Sequence, residues 1–157
     1  IQQIALAVNE NRTIVDYLES GVYQGRSSVQ TLANAMDVGD PANMERLFAL
    51  YPTLEEMRAV VTAWSVDDEA IKETIREVYT ESGYILCPHT ATAERVRRDH
   101  FLDTPSIIVS TAHPAKFEET VEPLIGSSVD VPPQLAELLD KKSEYHSIAA
   151  DYRLLFG

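Results

Sequence analysis

The run Ser110-Thr111-Ala112-His113-Pro114-Ala115-Lys116-Phe117-Glu118-Glu119, directly behind the apolar stretch Pro105-Ser106-Ile107-Ile108-Val109, restricts the fold more than any other part of the chain. An apolar, β-branched stretch this short predicts a buried strand rather than a helix. Hydroxyls follow it, and then a proline suited to a first helical turn. In open α/β sheets, polar groups at the carboxyl ends of strands lie where ligands sit. Two more short apolar runs lie upstream. Ile4–Val8 is a compact apolar run bounded by Asn9-Glu10-Asn11, and Tyr84–Cys87 is a short run closed by Pro88.

Helical spacing fills the intervals. A helix is expected from Thr13, with Ile14, Val15 and Leu18 facing inward and Ser20-Gly21 as its stop. Val22–Gln30 has no periodicity and reads as a mobile loop, after which Asn43–Leu50 reads as helical. Thr53-Leu54-Glu55-Glu56 is a capping box ahead of Met57, Val60, Val61 and Trp64, which share one helical face. Another helix starts at Asp67 or Asp68, buries Ile71, Ile75, Val78 and Tyr79, and ends at Ser82-Gly83. A helix from Pro88 turns Val96 inward and Arg95, Arg97 and Arg98 outward, and one from Pro114 carries Phe117, Val121, Leu124 and Ile125. Val131-Pro132-Pro133 breaks the pattern before a short helix at Gln134–Leu139. The alternation predicts right-handed crossovers and a parallel sheet covered on both faces.

Composition removes several classes of partner. A net charge of -12 opposes nucleic acid and anionic membrane surfaces. No apolar stretch approaches a membrane span, and the amino-terminal residues lack the basic start of a signal peptide. The single cysteine, Cys87, excludes an internal disulfide and makes the cytoplasm the expected compartment. Four histidines and one cysteine show no metal-ligand spacing.

Three segments in order carry a family resemblance: Thr31–Gly39 continuing through Pro41–Arg46, Gly83–Ala91, and Thr111–Phe117. Together they resemble threonine synthases, whose Ala-Thr-Ala-His-Pro-Ala-Lys-Phe stretch the third segment follows. The resemblance extends from Ile4 to about Pro133 and fades in the tail. It implies an α/β fold of the tryptophan-synthase-β-like type, in which this chain is part of the large domain of a PLP-dependent lyase: a three-layer parallel sheet flanked by helices. The implied reaction converts O-phospho-L-homoserine and water to L-threonine and phosphate, with pyridoxal 5'-phosphate (PLP) as cofactor. In that family the Schiff-base lysine and the Gly/Asn-rich phosphate loop lie upstream of the first matching segment. Here the six glycines are isolated and the chain starts at Ile1, so it is expected to be a carboxyl-terminal portion, inactive by itself and partnered by the missing amino-terminal half. Residues 1–133 would belong to the catalytic domain and 134–157 to a tail. The substrate is a phosphorylated anion, which conflicts with the net charge unless local donors prevail within a Debye length of about 8 Å. Two alternatives stay open: a related phospho-lyase releasing 2-oxobutyrate, and a catalytically silent α/β assembly module.

The resemblance assigns Thr111 to the pyridine nitrogen of PLP, where a hydroxyl does not stabilise a protonated ring as a carboxylate would. The alternative for Thr111 is a cap on the next helix. His89 and Thr90 are expected on the same rim, near the cofactor, or else as a plain helix start with Thr90 capping and His89 solvated. Asn34 and Asp37 are candidates for the substrate cleft, with Asp37 as a loop cap the alternative, and Gly39 permits a tight turn. Lys116 sits beside Glu118 and Glu119, unlike the desolvated lysine that Schiff-base chemistry needs. Cys87 reads as buried and inert rather than as a nucleophile paired with His89. Arg95, Arg97 and Arg98, next to Asp99, read as a solvated face. A sheet cut from its neighbours also predicts self-association or disorder at Ile4–Val8.

Overall fold

The structure is a computed structural model that describes residues 3–139, 141–142, 144–149 and 151–155, without the side chains of 139, 152 and 154. The outermost positions of the expected catalytic portion and tail, 1–2 and 156–157, lie outside the described residues. Strand β1 (Ile4–Val8) leads to helix α1 (Thr13–Ser20), then α2 (Met44–Leu50), α3 (Leu54–Val60), strand β2 (Val61–Ser65), α4 (Asp68–Ser82), α5 (Pro88–His100), α6 (Glu118–Ile125) and α7 (Pro133–Leu139).

β1 and β2 pair in parallel, from Ile4 opposite Val61 to Val8 opposite Ser65. Side chains alternate across a strand, so each strand feeds two layers. Leu6, Val8 and Ala63 pack on the cluster of Ile14, Val15 and Met44. Ala7 and Trp64 join the larger cluster built on Ile71, Ile75, Leu86, Ala91, Val96 and Val121. The short sheet is therefore covered on both faces, as expected of parallel pairing.

The expected α/β class with parallel strands holds, while the membership of the sheet differs. β2 occupies Val61–Ser65, the end of a segment whose spacing predicts helix. The capping box forms: Thr53 Oγ1 accepts from the Glu56 amide at 3.3 Å, and Glu56 accepts from the Thr53 amide at 3.0 Å. The helix ends at Val60, because Val61 adopts φ -111° and ψ 130° and pairs with β1. The β-branched run Val60-Val61-Thr62 suits that change. Conversely, Tyr84–Cys87 and Ser106–Ser110 carry no ladder hydrogen bonds and belong to no sheet among the described residues. Pairing depends on a neighbouring strand, which an apolar run does not supply for itself.

The helix from Pro114 is likewise two pieces, a 3-10 turn at Pro114–Phe117 followed by α6. Gly21 and Gly83 end α1 and α4 in the left-handed region, at φ 78° and 70°. The expected mobile loop Val22–Gln30 is irregular but tied down. Arg26 reaches Asp16 at 2.6 Å, the Val29 amide donates to Asn11 Oδ1 at 2.7 Å, and the Tyr23 hydroxyl donates to Asp40 at 2.6 Å. Burial first, and then the Asp40 carboxylate, push the Tyr23 phenol up to about 12. The loop closes on Gly39, whose carbonyl accepts from the Arg26 amide at 3.1 Å and from Thr13 Oγ1 at 2.7 Å. A Cβ at Gly39 would collide with the Arg26 carbonyl, so close approach is what requires glycine there.

Candidate functional site

Thr90 and Thr111 meet at one cavity of about 590 Å³, open to solvent and lined among others by Tyr84, Cys87, Ser110 and His113. Pro88 starts α5 without a donor to lose, and that start brings Thr90 one turn behind Cys87. Thr90 Oγ1 lies 3.2 Å from Cys87 Sγ and 3.1 Å from Ser110 Oγ, which joins the two loop segments through a chain of neutral hydroxyls. Thr111 follows Ser110 in sequence and lines the same cavity, is exposed, and makes no side-chain hydrogen bond among the described residues. It is not the cap that the alternative reading supposes. The cap belongs to His113, whose Nδ1 accepts from the Ala115 amide at 3.2 Å.

His89 is placed elsewhere. It is 9% exposed, so the solvated reading fails, and it does not line the cavity. Its Nε2 accepts from the Ala35 amide at 3.0 Å, and its ring lies 4.8 Å from that of Phe117. Burial lowers its basicity, Asp37 acts to raise it, and Lys116 acts to lower it.

Asn34 is exposed and opens the 3-10 turn Asn34–Met36. Asp37 ends that turn and works as a fastening. Its Oδ1 accepts from Asn9 Nδ2 at 2.7 Å, Thr31 Oγ1 at 2.8 Å and Asn11 Nδ2 at 3.2 Å, while Oδ2 accepts from the Thr31 amide at 3.0 Å. Asn9 is fully buried and also donates to Thr31 Oγ1 and the Ala33 carbonyl. Asn9, Asn11 and Thr31 thus hold the candidate cleft turn to the carboxyl end of β1. Sequence reasoning read Asn9-Glu10-Asn11 only as a strand boundary. Their position past a strand end, where open α/β sheets gather polar groups, was the available signal.

The remaining candidates are structural. Lys116 is exposed, so it lacks the desolvation a Schiff-base lysine needs. Cys87 is buried and free, and its Thr90 contact together with the Ala35 bond to His89 leaves no thiol–imidazole pair. The arginines of α5 do not form the solvated face expected of them. Arg97 and Arg98 hold Glu94 at 2.7 and 2.8 Å, Arg98 reaches Glu81 on α4 at 2.6 Å, and Arg95 pairs with Asp99 at 2.7 Å.

The family described as "Threonine synthase, C-terminal" matches residues 90–155. Threonine synthase of Escherichia coli strain K12 is 35% identical over 156 residues, covering 99% of this chain and 36% of that protein. The similarity therefore continues into the tail, beyond the range in which motifs can be read. The crystal structure of the E. coli enzyme superposes with a TM-score of 0.81. A PLP-bound threonine synthase from Brucella melitensis gives 0.82 at 28% identity, over 99% of this chain and 39% of that one. The chain spans about a third of the length of the relatives it matches.

Proposed function

We propose, because the chain belongs to the threonine synthase family, that it forms one wall of the cofactor and substrate cleft of an enzyme making L-threonine and phosphate from O-phospho-L-homoserine and water. PLP would act there as an electron sink for the reacting amino acid. The observation that carries this reading is the unengaged hydroxyl of Thr111 at the mouth of a cavity already lined by Thr90 and Ser110. That donor set fits a pyridine ring: a hydroxyl can donate to the ring nitrogen yet leaves it unprotonated.

Within this reading, Thr111 holds the ring nitrogen and Thr90 with Ser110 keeps the rim in register. The Asn34–Met36 turn, fastened through Asp37, forms the adjoining wall of the substrate cleft. Residues 1–133 contribute the cleft and 134–157 an appended segment bearing α7. The lysine that links the cofactor, and the loop that holds its phosphate, come from the rest of the polypeptide. The chain alone is then inactive, and the complete enzyme works in the cytoplasm, in keeping with a single unpaired cysteine.

Thr111→Val in the complete enzyme tests the reading. It preserves shape at an exposed position, so stability should change by less than about 0.5 kcal/mol. PLP affinity, read by fluorescence titration, should fall about tenfold or more for the lost hydrogen bond. Wild-type cofactor affinity together with wild-type turnover would remove Thr111 from the site.

A further inference from the structure

We propose that His89 is a positioning residue whose neutral ring, accepting at Nε2, fixes the Asn34–Met36 turn against the start of α5 and thereby sets the spacing between that turn and the hydroxyl rim. Its consequence for catalysis rests on the function proposed above, whereas the brace itself does not.

The Ala35 amide and His89 are separated by 54 positions, and this bond joins the turn to α5. An imidazole nitrogen accepts only when it carries no proton, so the proton of the neutral ring sits on Nδ1. That Nδ1 is buried and finds no partner, and it is the sole such side-chain atom among the described residues. A buried unpaired donor is costly. The arrangement keeps the Ala35 bond while forgoing a second one, which makes that bond the ring's function. Phe117, in the turn that follows Thr111, packs against the ring with its centroid 4.8 Å away. One side chain on the helix that presents Thr90 therefore touches two other segments, the candidate cleft turn and the turn behind Thr111.

The same geometry makes the brace sensitive to acid. A second proton would occupy Nε2 and leave Ala35 without an acceptor. The charged groups facing the ring are Asp37, just past the cleft turn, which favours that proton, and Lys116, on the Pro114–Phe117 turn, which opposes it. Burial is the largest influence and keeps the ring neutral. Because protonation is disfavoured in the folded state, the brace is fully present above the ordinary imidazole range of about 6.5 and is lost as pH falls through the depressed folded value.

Imidazole 15N NMR and amide exchange on this chain test the brace directly. At neutral pH, His89 should be the Nδ1–H tautomer. The Ala35 amide should exchange about tenfold or more slowly than in His89→Leu, and this protection should disappear in acid. His89→Gln, whose side-chain oxygen can accept the same N–H without titrating, should keep the protection and abolish its pH dependence. An Nε2–H tautomer, or equal Ala35 exchange in wild type and His89→Gln across the acid range, would overturn the proposal. In the complete enzyme, His89→Leu should raise KM for the phosphorylated amino acid about fivefold with cofactor affinity unchanged, and His89→Gln should restore it. Lost cofactor affinity at constant KM would instead mean that the ring contacts the cofactor, and the positioning role would fall. A complete enzyme with no threonine-forming turnover would sink the functional reading, while the tautomer and Ala35 exchange would still decide the brace.

Discussion

Asn9 has both ends of its amide engaged at the end of β1, donating to Thr31, Ala33 and Asp37 and accepting from the Asn11 amide at 2.9 Å. Truncation would strand several buried groups at once, so Asn9→Ala should cost about 3 kcal/mol in urea unfolding. Asn9→Asp should be worse near neutrality, since a second carboxylate would face Asp37 where a donor stood. The sign of its pH dependence follows: lowering the pH adds a proton, restores a donor, and narrows the gap to wild type. An Asn9→Asp protein as stable as wild type at neutral pH would show that the network does not hold the turn. Individual site residues were unequally readable in the sequence. Thr111 and Thr90 were singled out because each follows a short apolar run and lies near a proline that starts a helical turn, which is a local pattern. The other end of the His89 contact lies far away in sequence, and no local pattern reports it.

Elements were legible wherever their signals were local. The capping box of α3, the acidic start of α4 and the glycine stops of α1 and α4 all formed as their residues dictate. β2 was not legible, because Met57, Val60, Val61 and Trp64 satisfy helical spacing while pairing with β1 converts the last part to strand. The packing of α4 on α5 was equally hidden, since Arg98 and Arg95 of α5 reach across to Glu81 and Glu73 of α4, while Arg98 also serves Glu94 on its own helix. Glu94 receives Arg97 first and then Arg98, which holds its carboxyl below the ordinary range against the opposing effect of burial. Its side chain is 12% exposed, against 58% for Glu81. Neutralising Glu94 leaves two arginines short of a partly buried acceptor, so Glu94→Gln should cost about 1–2 kcal/mol. Glu81→Gln, at a solvent-screened position, should cost clearly less. The Glu94 contribution is present above the ordinary carboxylate range and disappears as pH falls through its depressed folded value. Thermal melts at neutral pH and in acid measure both effects, and equal losses for the two variants would show that burial does not govern the cluster.

At the scale of the molecule, the alternation of apolar runs and helical stretches was enough for a parallel α/β arrangement, but not for which runs share a sheet. The unpaired runs leave a marked surface. Ile107 is 92% exposed and Val109 75%, Tyr84 and Leu102 are also exposed, and β1 has one partner among the described residues. Bare apolar backbone of this kind recruits neighbours. Sedimentation velocity on the isolated chain should show association that grows with concentration and weakens in the double variant Ile107→Lys, Val109→Lys. A monomer at every concentration would show that the surface is tolerated.

The pairing of β1 with β2 also sets a timetable. A ribosome delivers Ile4–Val8 ahead of β2, which emerges only after the whole of residues 9–60. At ordinary elongation rates that is an interval of about three to ten seconds. Throughout it, the Ile-Ala-Leu-Ala-Val segment has hydrogen-bonding groups and apolar side chains that await the one strand it pairs with among the described residues. α4 and α5 come later but adjoin each other in sequence, so their contact closes over a short connection. β1 therefore waits longer for its partner than α4 waits for α5, and during that interval a chaperone has more to protect at Ile4–Val8 than at the two helices.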